Sequence, residues 1–416
     1  EEELEGRMFR RCAAREDVCR EEKIKASCNC TGDWFGDDCN YNFMVNSSYF
    51  PVHLKNTPCS CRRVSEWYQA RRVLEAQIFS LHRTDGCNAR DTVEISLDGK
   101  ALGAQMHFLA LGLSAALRKQ RALVFDEDRW LYGRHENCKG RGRRCFFLSL
   151  FPSGCSRDSI LAASNSSISR TRGWEAELQS TKETHIDVIT TARHLREGLL
   201  PPPAFSHLGL FWWRSSLLSI LTRKSFYLES LLREAKASMG WPEEERRGIL
   251  GVHVRRGDSC LHAAMSASRP LCMPTNLYLN AIATMVSKYE FTAIFLATDS
   301  KEAIEGMTRF ARKRGLKLVY QRFDRDVFSN SFFIEHMVEN GFLETQIVTE
   351  STLVDLFLLA ECDALVGGFS SQLSRLALSL LATRVGKPPP FISVDGYSWG
   401  RHALEEMWEV SQELLH

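Results

Sequence analysis

The stretch that decides the fold is Gly248–Asp258, "GILGVHVRRGD". It opens as an apolar run of strand length and then gathers a histidine, two arginines and an aspartate at one end. An apolar run without polar alternation fits a strand covered on both faces, as in a parallel sheet. Charge collected at the carboxyl end of such a strand sits where open α/β sheets hold their ligands. Arg255 and Arg256 suit phosphates there, and Asp258 suits orienting a guanidinium or receiving a proton.

The flanking sequence continues that pattern. "TNLYLNAIATMVSKY" reads as a helix, "FTAIFLAT" as a strand, "DSKEAIEGMTRFARKRG" as a helix capped by Asp299 or Ser300, and "LKLVYQ" as a third strand. "TESTLVDLFLLAECD", "ALVGG" and "SSQLSRLALSLLATRVG" give helix, strand and helix. Strictly alternating elements predict a parallel, nucleotide-binding type of sheet over 246–400. "GGFSSQ" adds permissive backbone at Gly367 and Gly368, the hydroxyls of Ser370 and Ser371, and the amides of a helix start, all suited to a phosphate. A salt-bridge network and an ordinary capped helix explain each motif separately; their joint position after strands favours a shared anion site.

Upstream, "TVEISL" and "GAQMHFLALGLSAALRKQRALVF" form a βαβ pattern that lacks a GxGxxG fingerprint, so no dinucleotide cofactor is implied. The strand ends on Asp126, Glu127 and Asp128, which read either as ligands of a divalent ion or as a solvated acidic loop. "LPPPAF" breaks the chain before a mostly helical stretch that bridges two lobes. Trp212 and Trp213 in that stretch suit either sugar stacking or an interdomain apolar contact.

Composition bounds the rest. The chain has 416 residues, 44% of them hydrophobic, and a formal net charge of +2. That is enough for one large core or two ordinary ones, and it gives no global reason to bind nucleic acid. Among 14 cysteines, Cys12, Cys19, Cys28, Cys30, Cys39, Cys59, Cys61 and Cys87 crowd the amino-terminal region, where "CNCTGDWFGDDC" looks like the end of an epidermal-growth-factor-like module. Zinc binding by these thiolates is the competing reading. Sequons begin at Asn29, Asn46 and Asn165. With the cysteines they predict a Golgi or other secretory-pathway lumen, and a membrane anchor, if one exists, upstream of this chain in a type II protein.

"GVHVRRGD", "FLATD" and "VDLFLLAECDALVGGFSSQLSRLA" resemble the nucleotide-sugar-binding regions of the α1,6-fucosyltransferases, which fucosylate the core N-acetylglucosamine of N-glycans, and of the related bacterial chitooligosaccharide enzymes. "LGAQMH", "WLYG" and "FWWRSSLLSIL" add weaker matches in order. The resemblance implies a GT-B-like α/β fold with two Rossmann-like lobes. It implies an inverting transfer from GDP-β-L-fucose to an N-glycan or glycoprotein, without an obligatory metal. On this chain, His253 and Asp355 would recognise guanine, Arg255 the β-phosphate, and Ser371 and Gln372 the diphosphate, while Asp299, Tyr278 and Arg375 would support the site. Bottom-up, Asp355 suits a base edge because a carboxylate accepts two guanine N–H bonds.

The chain departs from that pattern in places. Ser259 stands where the family has a phosphate-binding lysine, and the expected glutamate base is replaced by a segment in which His262 is the first candidate and Asp258 the second. Cys260 and Cys272 are placed to staple an altered acceptor loop, and Ser300 replaces a second carboxylate. The predicted organisation is a cysteine-rich segment at 1–85, an acceptor-side α/β lobe with bridging helices at 86–245, a GDP-sugar lobe at 246–400, and a carboxyl-terminal helix at 401–416. Protein O-fucosylation, another GDP-sugar, a metal-dependent transferase using Asp126 and Asp128, and a non-catalytic glycan- or protein-binding module are the alternatives.

Overall fold

The structure is a computed structural model that describes residues 34–35, 41–42, 47–50, 59–83, 92–95, 97, 101–138, 141–152, 155, 157–163, 200–242, 248–261, 271–328 and 333–400. The cysteines of the growth-factor-like stretch, the sequon asparagines, His262 and the 401–416 helix lie outside them.

Strands β1 (Trp34–Phe35) and β2 (Tyr41–Asn42) pair antiparallel ahead of β3 (Ser48–Tyr49) and helix α1 (Cys59–His82). Strand β4 (Thr92–Glu94), helix α2 (Leu102–Arg118) and strand β5 (Ala122–Val124) then form the expected βαβ unit, with Val93 opposite Leu123 in parallel register. The end of α1 is pinned to this unit by His82, which hydrogen-bonds the Ile78 carbonyl through Nδ1 at 2.7 Å and accepts the Leu123 N–H at Nε2 at 2.9 Å. Burial pushes the His82 pKa down to about 4, so the ring is neutral.

The βαβ unit belongs to the amino-terminal lobe expected over 86–245, of which the structure describes a part. Among the described residues its sheet has two strands, and helices fill the remaining space. They are α3 (Arg157–Ala163), α4 (Gly209–Leu221) and α5 (Phe226–Met239). The stretch expected to bridge the lobes is therefore two helices, the second started by Ser225, whose hydroxyl accepts the Leu228 N–H at 3.2 Å.

The carboxyl-terminal lobe alternates as the sequence predicts. It runs β6 (Ile249–Val254), α6 (Gly257–Leu261), α7 (Thr275–Lys288), β7 (Ala293–Thr298), α8 (Lys301–Arg314) and β8 (Lys317–Val319). It continues through α9 (Ile334–Glu339), α10 (Thr345–Glu361), β9 (Ala364–Gly367), α11 (Gln372–Val385) and β10 (Phe391–Ser393). The strand order is β3-β10-β9-β6-β7-β8, parallel throughout except for β3. Chain order runs outward from β6 in one direction and resumes at β9 in the other, so the topological switch point lies between β6 and β9.

Strand parity then decides which side chains face which layer. Leu250, Val252 and Val254 join Ile294, Leu296, Ala364 and Val366 in a core with Tyr278, Ile282 and Met285 of α7 and Ala303 and Met307 of α8. Ile249 of β6 faces the opposite core, with Phe295 and Leu365 and the apolar residues of α10 and α11. His253, two pleats further along, shares that second face.

The second core continues into the amino-terminal lobe through α2 and α4. Trp212 and Trp213 lie inside it, against Phe205 at 5.5 and 5.6 Å, and the Trp213 indole N–H donates to Ser114 Oγ at 2.8 Å. Both tryptophans are buried, which decides for the apolar contact over sugar stacking. Gly103, at the start of α2, lies so close to the start of α11 that a Cβ there would sit 3.2 Å from Gln372 Cβ and Leu373 N. His107 Nε2 meets the Gln372 carbonyl at 3.1 Å in the same region. The start of α2, at the carboxyl edge of β4, therefore faces the switch point of the larger sheet.

Candidate active site

The two arginines after β6 have separate tasks. The Arg255 guanidinium is held between two carboxylates, Nη1 donating to Asp299 Oδ2 and Nη2 to Asp258 Oδ1. Burial alone would lower its pKa, but Asp299 and Asp258 outweigh that and raise it. Of five guanidinium donors, these contacts orient the plane and leave others for an anion. Arg256 turns the other way, donating to Thr275 Oγ1 at 3.1 Å and pairing with Glu302 Oε2 at 3.2 Å at the starts of α7 and α8. Its backbone N–H donates to Asp299 Oδ1 at 2.9 Å, so Asp299 fixes the backbone of one arginine and the side chain of the other.

Gly257 makes this arrangement possible. Its φ of +22° is unfavourable for other residues, and a Cβ there would lie 2.7 Å from Asp299 Oδ2 and 3.0 Å from Arg255 Nη1. Ser259, where a lysine was expected by resemblance, is buried with its hydroxyl unpartnered among the described residues.

His253 is buried and its Nδ1 lies 2.6 Å from Ser374 Oγ in the first turn of α11. Burial brings its pKa down to about 4, with Arg255 adding to the effect and Asp299 opposing it. The imidazole is therefore neutral near pH 7, a hydrogen-bonding group and not a cation. His253 is in register with Gly367 of β9, across the switch point.

Beyond Gly367 the second motif forms the other wall. Ser371 is the N-cap residue of α11, yet its side chain makes no cap bond. The first amides of a helix lack intrahelical acceptors, so this terminus presents N–H donors beside a hydroxyl that caps none of them. Ser370 has a different role. Its hydroxyl donates to Asp395 Oδ2 at 2.6 Å and accepts the Leu271 N–H at 2.9 Å, and its own N–H donates to Asp395 Oδ2 at 2.8 Å. With its proton committed to Asp395, the Ser370 hydroxyl shapes the loop.

Asp395 was not singled out in the sequence. Besides Ser370 it accepts Phe369 N–H at 3.0 Å and the Ser393 hydroxyl at 2.8 Å, holding the whole turn after β9. The available signal was an aspartate followed by glycine just after a short apolar run, and β10 itself went unread because three residues after "KPPP" carry little periodicity. Tyr278 is buried beneath the same turn, where burial first and then Asp395 and Asp299 raise its pKa. Arg375 is buried in α11, its carbonyl accepting the Trp399 indole N–H at 3.3 Å.

Asp355 lies on α10, buried, accepting Gln321 Nε2 at 2.5 Å. Burial raises its pKa to about 7, against the opposing pulls of Gln321 and Arg325. Arg325, also missed in the sequence, donates to the Thr298 and Gln321 carbonyls at 2.9 Å and ties the chain after β8 to the end of β7. Around the site the cations Arg255 and Arg325 are matched in number by the carboxylates of Asp258 and Asp299. Anion affinity here must come from oriented donors more than from net charge.

The disulfide suggested by sequence is present: Cys260 and Cys272 are bonded. A second joins Cys138 and Cys145 in the amino-terminal lobe.

Asp126, Glu127 and Asp128 are engaged with the protein. Asp126 accepts the Arg129 N–H at 2.9 Å, Glu127 takes Ser149 Oγ at 2.7 Å and Arg143 at 3.3 Å, and Asp128 pairs with Arg144. Among the described residues no group of three or more metal-ligating side chains converges.

The chain is similar to known fucosyltransferases. Residues 203–395 match the family of alpha-(1,6)-fucosyltransferase N- and catalytic domains. The alpha-(1,6)-fucosyltransferase of Drosophila melanogaster is 22% identical over 353 residues, covering 77% of this chain and 50% of that one. The chain thus spans half the length of that relative. Among solved structures, the fucosyltransferase NodZ from Bradyrhizobium aligns at 17% identity and a TM-score of 0.39, over 69% of this chain and 92% of that one. An Arabidopsis thaliana FUT1 mutant in complex with GDP aligns at 11% identity and a TM-score of 0.40, over 86% and 83%.

Proposed function

We propose that this chain, similar to the α1,6-fucosyltransferases, is an inverting transferase that moves L-fucose from GDP-β-L-fucose to a glycan of a glycoprotein in the secretory pathway. The finer assignment is α1,6 transfer to the core N-acetylglucosamine of N-glycans. One observation carries the donor site. The register of His253 with Gly367 brings the Arg255 loop and the start of α11 to the carboxyl ends of two adjacent strands at the switch point, which supports a crevice between them.

In that crevice the diphosphate lies between Arg255 and the α11 terminus with Ser371 and Gln372, and guanine donates its N–H edge to Asp355, with His253 as a neutral partner. The acceptor oxygen bonds to the anomeric carbon as the bond to the β-phosphate oxygen breaks on the opposite face. The acceptor proton passes to a base, and the leaving charge falls on the diphosphate. Arg255 and the helix amides meet that growing charge, the work a metal does in other transferases. Asp258, buried on Arg255, acts as an orienting group. His262 is the proposed base, its ordinary pKa of about 6.5 suiting proton acceptance near neutrality.

The test is a screen of GDP-fucose, GDP-mannose and UDP-sugars against N-glycans and folded cysteine-rich domains, with products mapped by linkage. Fucose on the 6-position of core N-acetylglucosamine is the expected product. Transfer to protein hydroxyls, or from another sugar nucleotide, replaces the assignment, and glycan binding without turnover makes the chain a binding module. His262→Ala should abolish transfer while leaving GDP affinity intact; full turnover in that variant removes His262 from the mechanism.

A further inference from the structure

The two walls of the crevice are also joined by a covalent route. Asp258, which holds Arg255, lies in α6, and the same short helix carries Cys260. Cys260 is bonded to Cys272. The residue before Cys272 is Leu271, whose N–H donates to Ser370 Oγ at 2.9 Å. Ser370 is then fixed by Asp395 through both its hydroxyl and its N–H. The path runs from the guanidinium loop to the serine loop in one disulfide and one hydrogen bond, and it crosses the switch point.

We propose that the Cys260–Cys272 disulfide is a positioning brace for the donor site, setting the separation of the Arg255 loop and the Gly368–Ser371 turn through the Leu271–Ser370 hydrogen bond. The proposal rests on the donor-site reading above. Three features favour a role in the site over simple stapling. The bond closes a 12-residue separation, so its constraint on the unfolded chain is substantial but lower than that of a long-range staple. The contact it delivers lands on a residue of the phosphate turn. The Ser370 hydroxyl also has its proton committed to Asp395, so it receives the Leu271 N–H on a lone pair whose direction Asp395 has set. A diphosphate gripped from two sides needs both sets of donors at one spacing, and misplaced donors lose affinity steeply.

The test compares the wild-type chain with Cys260→Ser/Cys272→Ser, with Ser370→Ala, and with the three changes combined. The measurements are GDP calorimetry, the Michaelis constant for GDP-fucose, thermal melting, and hydrogen exchange of the 368–371 amides. The disulfide variant should bind GDP roughly five- to tenfold more weakly, the scale of one hydrogen bond, with exchange at 368–371 accelerated more than the fall in melting temperature alone accounts for. Ser370→Ala should lose at least as large a factor, since it also removes the bond to Asp395, and the combined variant no more than Ser370→Ala alone, because the disulfide acts on the turn through that hydroxyl. Unchanged GDP affinity and exchange in the disulfide variant, or losses that multiply in the combined one, overturn the brace. If the disulfide variant fails to fold, Ser370→Ala decides: full GDP affinity in that variant overturns the proposal. If the wild-type chain binds no GDP, the donor reading fails on its own. The exchange comparison then decides the brace, acceleration at 368–371 supporting it and identical exchange overturning it.

Discussion

Asp355 makes donor binding depend on pH in a direction that can be worked out in advance. Its carboxyl is buried, helped only by Gln321 and Arg325, and burial holds its pKa near 7 in the empty site. Guanine presents two N–H donors that need the ionised form. At pH 8 about nine-tenths of the carboxyls are ionised and at pH 6 about one-tenth, so GDP affinity should fall roughly tenfold between those values. The phosphates titrate in the same window, so the control is Asp355→Asn, which keeps the shape and loses the titration. Its GDP affinity at pH 8 should be about ten- to a hundredfold below wild type, the size of one or two bonds to a charged acceptor, and at pH 6 the gap should shrink tenfold, to about one- to tenfold. Calorimetry at both pH values measures all four constants. Parallel pH profiles in the two proteins would refute the assignment of guanine to Asp355. The same raised pKa destabilises the empty fold at high pH: the native state holds the proton between 3.8 and about 7, so this contribution is lost as pH rises through 7. GDP should therefore raise the melting temperature more at pH 8 than at pH 6.

Arg255→Ala should lower turnover by more than it weakens GDP, because the guanidinium meets charge that grows in the transition state; equal losses in kcat/KM and in GDP affinity point to uniform binding instead. Asp126→Asn should change activity little, since the carboxylate serves Arg129, and EDTA-treated protein should keep most of its activity; loss restored specifically by Mn²⁺ rejects this. His82 and His253 are held neutral with pKa values near 4 against 6.5 unfolded, so the unfolded chain takes up protons first and stability falls as pH drops from 6.5 toward 4. Each can contribute at most about 3 kcal/mol, and His82→Gln should flatten the acid limb of a melting-temperature profile; an unchanged limb counts against this.

The larger lobe was legible because its strands are apolar on both faces and its helices are long and capped by recognisable residues, such as Ser300, which accepts the Ala303 N–H at 3.2 Å. The positions of Arg255, His253 and Ser371 followed from strand ends. What the sequence hid were partners supplied by fold geometry. Arg256 and Arg255 are adjacent and alike in type, yet only strand parity and the approach of α7 and α8 send one to helix starts and the other to the crevice. Ser370 and Ser371 differ likewise, because Asp395, 25 residues from Ser370, claims only the first hydroxyl. What the helices of the smaller lobe pack against was hidden because α4 is apolar around most of its circumference, a pattern that marks burial without saying against what.

A structure of the chain in complex with GDP tests the central claim most directly. The account predicts guanine against Asp355 and the diphosphate between Arg255 and the start of α11, with Ser370 still bonded to Asp395. GDP bound elsewhere, or its phosphates held at Asp126–Asp128 through a metal ion, would contradict it.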